Sequence, residues 1–94
     1  MSVRRAALSI LSDILDRRQE LDRVFDTHVR GLDTRDRALV RMMVATTLRH
    51  LRGLDALIDE HVRRKPDMAL RHILRLGLTQ LLLMDVGDHA ALNE

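Results

Sequence analysis

Apolar residues recur along this 94-residue chain at helical spacing. Val3, Ala7, Ile10, Leu11, Ile14 and Leu15 form a first stripe and predict a helix from about Val3 to Arg17. Leu21, Val24, Phe25, His28, Val29 and Leu32 repeat at i, i+3, i+4 and i+7, and Gly31 is placed to stop this second helix. Asp33 or Thr34 has the chemistry of an N-cap, with Asp36 in the first turn where a carboxylate suits the helix dipole. From there Leu39, Val40, Met43, Thr47, Leu48, Leu51, Leu54, Ile58 and Val62 make one continuous stripe. They predict a long helix, with Gly53 on the opposite face marking a bend or break. Arg63, Arg64 and Lys65 are expected at its end, where cations suit the dipole.

Pro66 suits the first turn of the next helix, which is expected to reach about Met84. Its apolar residues, Leu70, Ile73, Leu74, Leu76, Leu78, Leu81, Leu82 and Leu83, go nearly all the way round. A helix apolar on most sides is expected to be central and packed by several neighbours. Gly77 in its middle costs about 1 kcal/mol of helix propensity, and the expected return is close approach of another helix. After Gly87, Asp88 reads as the N-cap of a further helix, only begun at Glu94. The expectation is a fragment, or a partner chain that supplies the missing layer over the apolar helix.

Composition narrows the class. There is one Phe, with no Trp, Tyr or Cys, and there are one Pro and four Gly. Leu, Ile, Val, Met and Ala must build the core, and turn formers are too few for a many-stranded sheet. An all-α domain follows, and 94 residues suffice for one domain with a modest core. Without Cys, a disulfide framework, a thiolate metal site and a thiol nucleophile are excluded. That composition fits a reducing cytoplasm. No signal peptide is read at the start, and the apolar run from Ile73 to Met84 is too short to span a bilayer.

The formal charge is only +2, yet fifteen of the sixteen basic residues are Arg, whose planar fork binds phosphate bidentately. Arg35, Arg37, Arg41, Arg49 and Arg52 face a single acid, Asp36, over that stretch. Arg41, Arg49 and Arg52 project opposite the apolar stripe. Further on, Asp59 is spaced to pair with Arg63, and Glu60 with Arg64. Arg4 and Arg5 open the first helix against its dipole, with no acid three or four residues on. These seven arginines, Arg4, Arg5, Arg35, Arg37, Arg41, Arg49 and Arg52, are the candidate RNA-binding set through phosphate contacts. The bland alternative is a solvated helical surface, with Arg37 and Arg49 pairing Asp36 or Asp55 or holding helix ends. Base stacking has no aromatic platform beyond Phe25.

No catalytic constellation is visible. His28, His50, His61, His72 and His89 stand in no metal-ligand spacing, and His28 and His61 lie on or beside apolar stripes as packed side chains. There is no Gly-rich phosphate loop and no nucleophile elbow.

Five segments together carry a family resemblance. Arg35-Asp36-Arg37-Ala38-Leu39-Val40, then Thr46-Thr47-Leu48-Arg49 and Leu54-Asp55-Ala56-Leu57-Ile58, are followed by Leu74-Arg75-Leu76-Gly77-Leu78-Thr79-Gln80-Leu81-Leu82-Leu83-Met84-Asp85 and His89-Ala90-Ala91-Leu92-Asn93-Glu94. In this order and spacing they resemble the NusB-like N-terminal domain of RsmB-type (Sun/Fmu) ribosomal RNA cytosine-C5 methyltransferases, and more distantly the NusB antitermination factor. Thr79 stands where that family often has Tyr, and Gly87 where Pro is common. The resemblance implies an all-α, NusB-like helical bundle, truncated at its C-terminal end. Residues 1–94 would form an incomplete RNA-binding domain, with further helices and the methyltransferase domain outside. It also implies ribosomal RNA as partner, a cytoplasmic location, and S-adenosylmethionine for the missing catalytic domain, with no cofactor in this chain. Two alternatives remain: a NusB-type antitermination factor binding RNA and a ribosomal protein, and a helical module that dimerises or docks a protein partner through its exposed apolar helix.

Overall fold

The computed structural model describes residues 2–84, which fold into five α-helices and a π-helical turn, with no strand among the described residues. The chain divides into two compact units, Met1–Ala45 and Thr46–Glu94.

In the first unit, α1 spans Val3–Arg17 as its stripe predicts. Ser2 caps it, its hydroxyl accepting from the Arg5 N–H at 3.0 Å. Arg18 ends it in the left-handed region at φ 57°. Helix α2, Leu21–Val29, packs against α1. It stops three residues before Leu32, ahead of Gly31, and Leu32 instead donates its N–H to the Val29 carbonyl at 3.0 Å. Asp33 caps α3, Thr34–Arg49, by accepting from the Asp36 N–H at 2.8 Å. The core here consists of Ala6, Ala7, Ile10 and Leu11 from α1, Phe25 and Val29 from α2, Leu32, and Val40, Met43 and Val44 from α3.

The long stripe does not form one helix. It breaks at His50, whose φ of −108° and ψ of 20° leave the helical region, and α4 runs from Leu51 to His61. The expected marker, Gly53, lies inside α4. His50 still donates to the Thr46 carbonyl at 3.1 Å and accepts from the Leu54 N–H at 3.0 Å. The α4 helix ends before Arg63, Arg64 and Lys65, which follow its cap residue Val62. Pro66 is likewise outside a helix. The N-cap is Asp67, which accepts from the Leu70 N–H at 2.8 Å and starts α5, Met68–Leu78. The chain then widens into the π-helical turn Thr79–Met84. The helix expected after Asp88 lies outside the described residues.

The α5 helix also turns the other way from expectation. Arg71, His72, Arg75 and Leu76 are its buried residues, while Leu70 (46%) and Ile73 (48%) are exposed. Thr47, Leu54, Ile58, Leu76, Thr79 and Met84 complete the interior of the second unit. A Cβ at Gly77 would meet nothing within 4 Å, so among the described residues no close helix approach requires this glycine. Among the described residues no helix is long and apolar enough to cross a membrane.

Candidate nucleic-acid interface

The seven candidate arginines are all exposed, but their side chains do different things. Arg4 and Arg5 lie in the first turn of α1, which carries no acidic residue. Arg35, Arg37 and Arg41 lie on the first half of α3. Arg37 reaches back to the segment after α2: its Nε donates to the Leu32 carbonyl at 2.8 Å and its Nη2 to the Arg30 carbonyl at 3.3 Å. Both carbonyls lie beyond Val29, so this fork braces the turn that joins α2 to α3. One turn on, the Arg41 guanidinium sits 4.3 Å from the centre of the buried Phe25 ring. Its Nη1 is 3.6 Å from an Asp22 carboxylate oxygen. Arg41 therefore covers the chain's one aromatic ring by a cation–π contact. Arg49 and Arg52 belong to the second unit, at the end of α3 and on α4.

The first unit also holds a polar clasp between α1 and α2. Asp13 accepts from Arg17 at 2.6 Å and pairs with His28 Nε2 at 2.6 Å. The His28 hydrogen bond, aided by Arg17 and opposed by burial, holds the Asp13 carboxyl below the usual carboxylate range. His28 is thus a packed side chain with a polar partner, as its place on the stripe suggested.

The larger polar cluster, in the second unit, was not foreseen. Arg75 grips Asp55 with two parallel bonds, Nε and Nη2 each at 2.8 Å. Arg71 donates to Asp55 at 3.2 Å and to Asp59 at 2.6 Å. Arg75 Nη1 also lies 3.1 Å from His72 Nδ1. The Arg75 bond, with Arg71 behind it, pulls the Asp55 carboxyl below its ordinary range against the opposite push of burial. Asp59 accordingly pairs across to α5 rather than along its own helix with Arg63, and Asp55 is taken by Arg71 and Arg75 rather than Arg49. A legible signal existed: Asp55 and Asp59 stand at i,i+4 on one helix, and Arg71 and Arg75 at i,i+4 on the next.

A groove between α4 and α5 lies in the same unit. Leu57, Ile58, His61, Val62, Leu74, Leu78 and Leu82 line about 350 Å³ of it. A further 190 Å³, lined by His50, Gly53, Leu54, Leu57, Leu82 and Leu83, adjoins it through Leu57 and Leu82.

The profile of the NusB family matches residues 1–94, the whole length of the chain. The chain belongs to the NusB family. Within that family its relatives include the ribosomal RNA small subunit methyltransferase B of Vibrio vulnificus (strain YJ016), 31% identical over 98 residues, covering 100% of this chain and 23% of the relative. The enzymes of the same name from Yersinia pseudotuberculosis serotype O:1b (strain IP 31758) and Yersinia pestis bv. Antiqua (strain Angola) are each 29% identical over 96 residues, covering 99% of this chain and 22% of the relative. The chain thus spans less than a quarter of the length of the curated relatives it matches. No solved structure matches. The motif series therefore identified the family correctly, and the all-α class holds. In this NusB-family chain Thr79, at the position where Tyr is frequent, is fully buried, and its hydroxyl accepts from Thr47 at 2.8 Å.

Proposed function

We propose that this chain is the RNA-engaging N-terminal domain of a ribosomal RNA cytosine-C5 methyltransferase acting in the cytoplasm. The observation that carries the reading is the match of the entire chain to small-subunit rRNA methyltransferases. The exposed arginines support it. Arg5, Arg35, Arg49 and Arg52, with Arg4 beside them in sequence, offer guanidinium groups for phosphates. Arg37 and Arg41 act chiefly in packing. With no aromatic platform available, affinity would rest on phosphate contacts and report backbone position more than base identity. S-adenosylmethionine is assigned to the part of the longer protein outside these residues. The leucine-lined groove does not suit it, because only His50 and His61 among its lining side chains could meet a ribose or a carboxylate.

The test is binding to small-subunit rRNA fragments across a salt series. Affinity is expected to fall with salt, and Arg4→Ala/Arg5→Ala and Arg49→Ala/Arg52→Ala, each removing two phosphate contacts, are each expected to flatten the log–log slope by about 1.5. A folded chain that binds none of the fragments, or binds without salt dependence, would sink the reading.

A further inference from the structure

A helical continuation of α4 would set Arg63 against Asp59 and Arg64 against Glu60, one turn earlier. The backbone leaves the helix instead. Val62 caps α4 in the extended region at φ −104° and ψ 138°, and residues 62–67 are not helical. Pro66 enforces the break, because it biases Lys65 toward extended backbone and has no N–H to give to a further turn. Arg63, Arg64 and Lys65 are all exposed on the resulting loop. Among the described residues none of the three has an ion-pair partner, and none of their backbone N–H groups reaches a backbone carbonyl.

Asp59 is the acid placed to silence this loop. It lines a hollow of about 330 Å³ together with Val62, Arg63 and Lys65, so it borders the same space as two of the cations. The α5 helix takes it from them: Arg71 Nη2 donates to Asp59 Oδ1 at 2.6 Å. Arg71 Nη1 also donates to Asp55 at 3.2 Å, which fixes this largely buried guanidinium against both carboxylates of α4. Asp67 is occupied as the cap of α5, accepting from the Leu70 N–H at 2.8 Å. Glu60 alone is left as an exposed, uncommitted acid beside the three cations. A carboxylate already paired with Arg71 cancels far less of their pull on an anion than a free one in the same hollow.

We infer that Arg63, Arg64 and Lys65 form a phosphate-binding loop for RNA, and that Arg71 is its positioning residue, keeping Asp59 from neutralising Arg63 and Lys65. The inference rests on the proposed function and adds a contact site outside its seven candidate arginines. Two guanidinium forks, one ammonium and three backbone N–H groups are all donors suited to phosphate oxygens. Val62 is the one apolar residue lining the hollow, too little for the apolar anchor that a protein partner would need.

The test measures affinity of the full-length polypeptide for small-subunit rRNA fragments over a salt series. Arg63→Ala/Arg64→Ala/Lys65→Ala removes only exposed side chains and is expected to flatten the log–log slope by about 2. An unchanged slope overturns the inference. Arg71→Gln releases Asp59 and is expected to flatten the slope by about 1, whereas Arg71→Lys, which keeps a cation beside Asp59, should stay near wild type. Adding Asp59→Asn to Arg71→Gln should bring the slope back, since no carboxylate is then left to compete for the loop. A merely structural Arg71 leaves the single and double variants equally impaired, and that result overturns the positioning role. Asp59→Asn alone, which spares the pairing of Arg71 and Arg75 with Asp55, should bind at least as tightly as wild type; weaker binding overturns the same role. Equal loss by the loop variant of binding to polyglutamate and to rRNA overturns the assignment to RNA. A slope that responds to Arg4→Ala/Arg5→Ala but not to the loop variant overturns this inference alone. A wild-type polypeptide with no salt-dependent rRNA binding removes the proposed function and this inference together.

Discussion

Arginine serves two purposes in this chain, and the partner of each guanidinium separates them. Arg37 holds two backbone carbonyls in the turn between α2 and α3, whereas Arg35, two residues away, is exposed on the first turn of α3. Arg37→Ala is expected to cost about 1 kcal/mol of stability through those charged-donor bonds, read as a lowered urea midpoint. Arg35→Ala should stay within about 0.5 kcal/mol of wild type. Asp55 is the more sensitive residue, because its loss leaves the largely buried Arg71 and Arg75 short of a counter-charge. Asp55→Ala is expected to cost about 2–3 kcal/mol. The pH dependence has a definite sign. The folded-state pKa of Asp55 is depressed by Arg75 and then Arg71, below an unfolded value near 4. Its contribution is complete above about pH 4 and is lost as pH falls through the folded value. Denaturation midpoints measured from pH 7 down to pH 2 should therefore fall less steeply for Asp55→Asn than for wild type. Asp13, shifted the same way by His28 and then Arg17, adds an acid-labile term to both.

At the scale of elements, helix content and helix ends divide sharply in how readily they are read. Each stripe of apolar residues became helical, because spacing at i, i+3 and i+4 is a local property of the backbone. Ends followed cap chemistry where a side chain supplied it, at Ser2, Asp33 and Asp67. The bend at His50 was invisible because the apolar stripe continues on both sides of one displaced residue. The π-helical turn is also absent from the pattern. It follows α5 where the Thr79 N–H is shared between the Arg75 and Leu76 carbonyls. The Thr79 side chain is held by Thr47, inside the same unit. Thr47→Val and Thr79→Val are each expected to cost about 1 kcal/mol through the lost hydroxyl–hydroxyl bond. The double substitution should cost clearly less than their sum, and additive losses in a double-mutant cycle would show that this bond does not couple α3 to the turn.

For the molecule as a whole, the core is thin and partly ionic. In the second unit Leu54, Ile58, Leu76 and Met84 share the interior with Arg71, His72, Arg75 and two threonines. A short chain has little apolar surface to bury, and here bidentate ion pairs occupy space between α4 and α5 that leucines could have filled. The sequence by itself determined that the chain is helical, where most helices lie, that thiol chemistry is absent, and, through five spaced motifs, its family. All of these follow from local backbone preferences or from residue identities in linear order. The tertiary structure alone decided which side of α5 is inside. Composition marked its leucines for the core, yet the paired carboxylates of α4 met the paired guanidiniums of α5 and turned that face inward, leaving Leu70 and Ile73 at the surface. It also decided which arginines are committed to packing, since Arg37 and Arg41 differ from Arg35 only in what the fold places beside them. Burial and pairing depend on residues distant in sequence, and no periodicity along one helix specifies what the next helix presents to it.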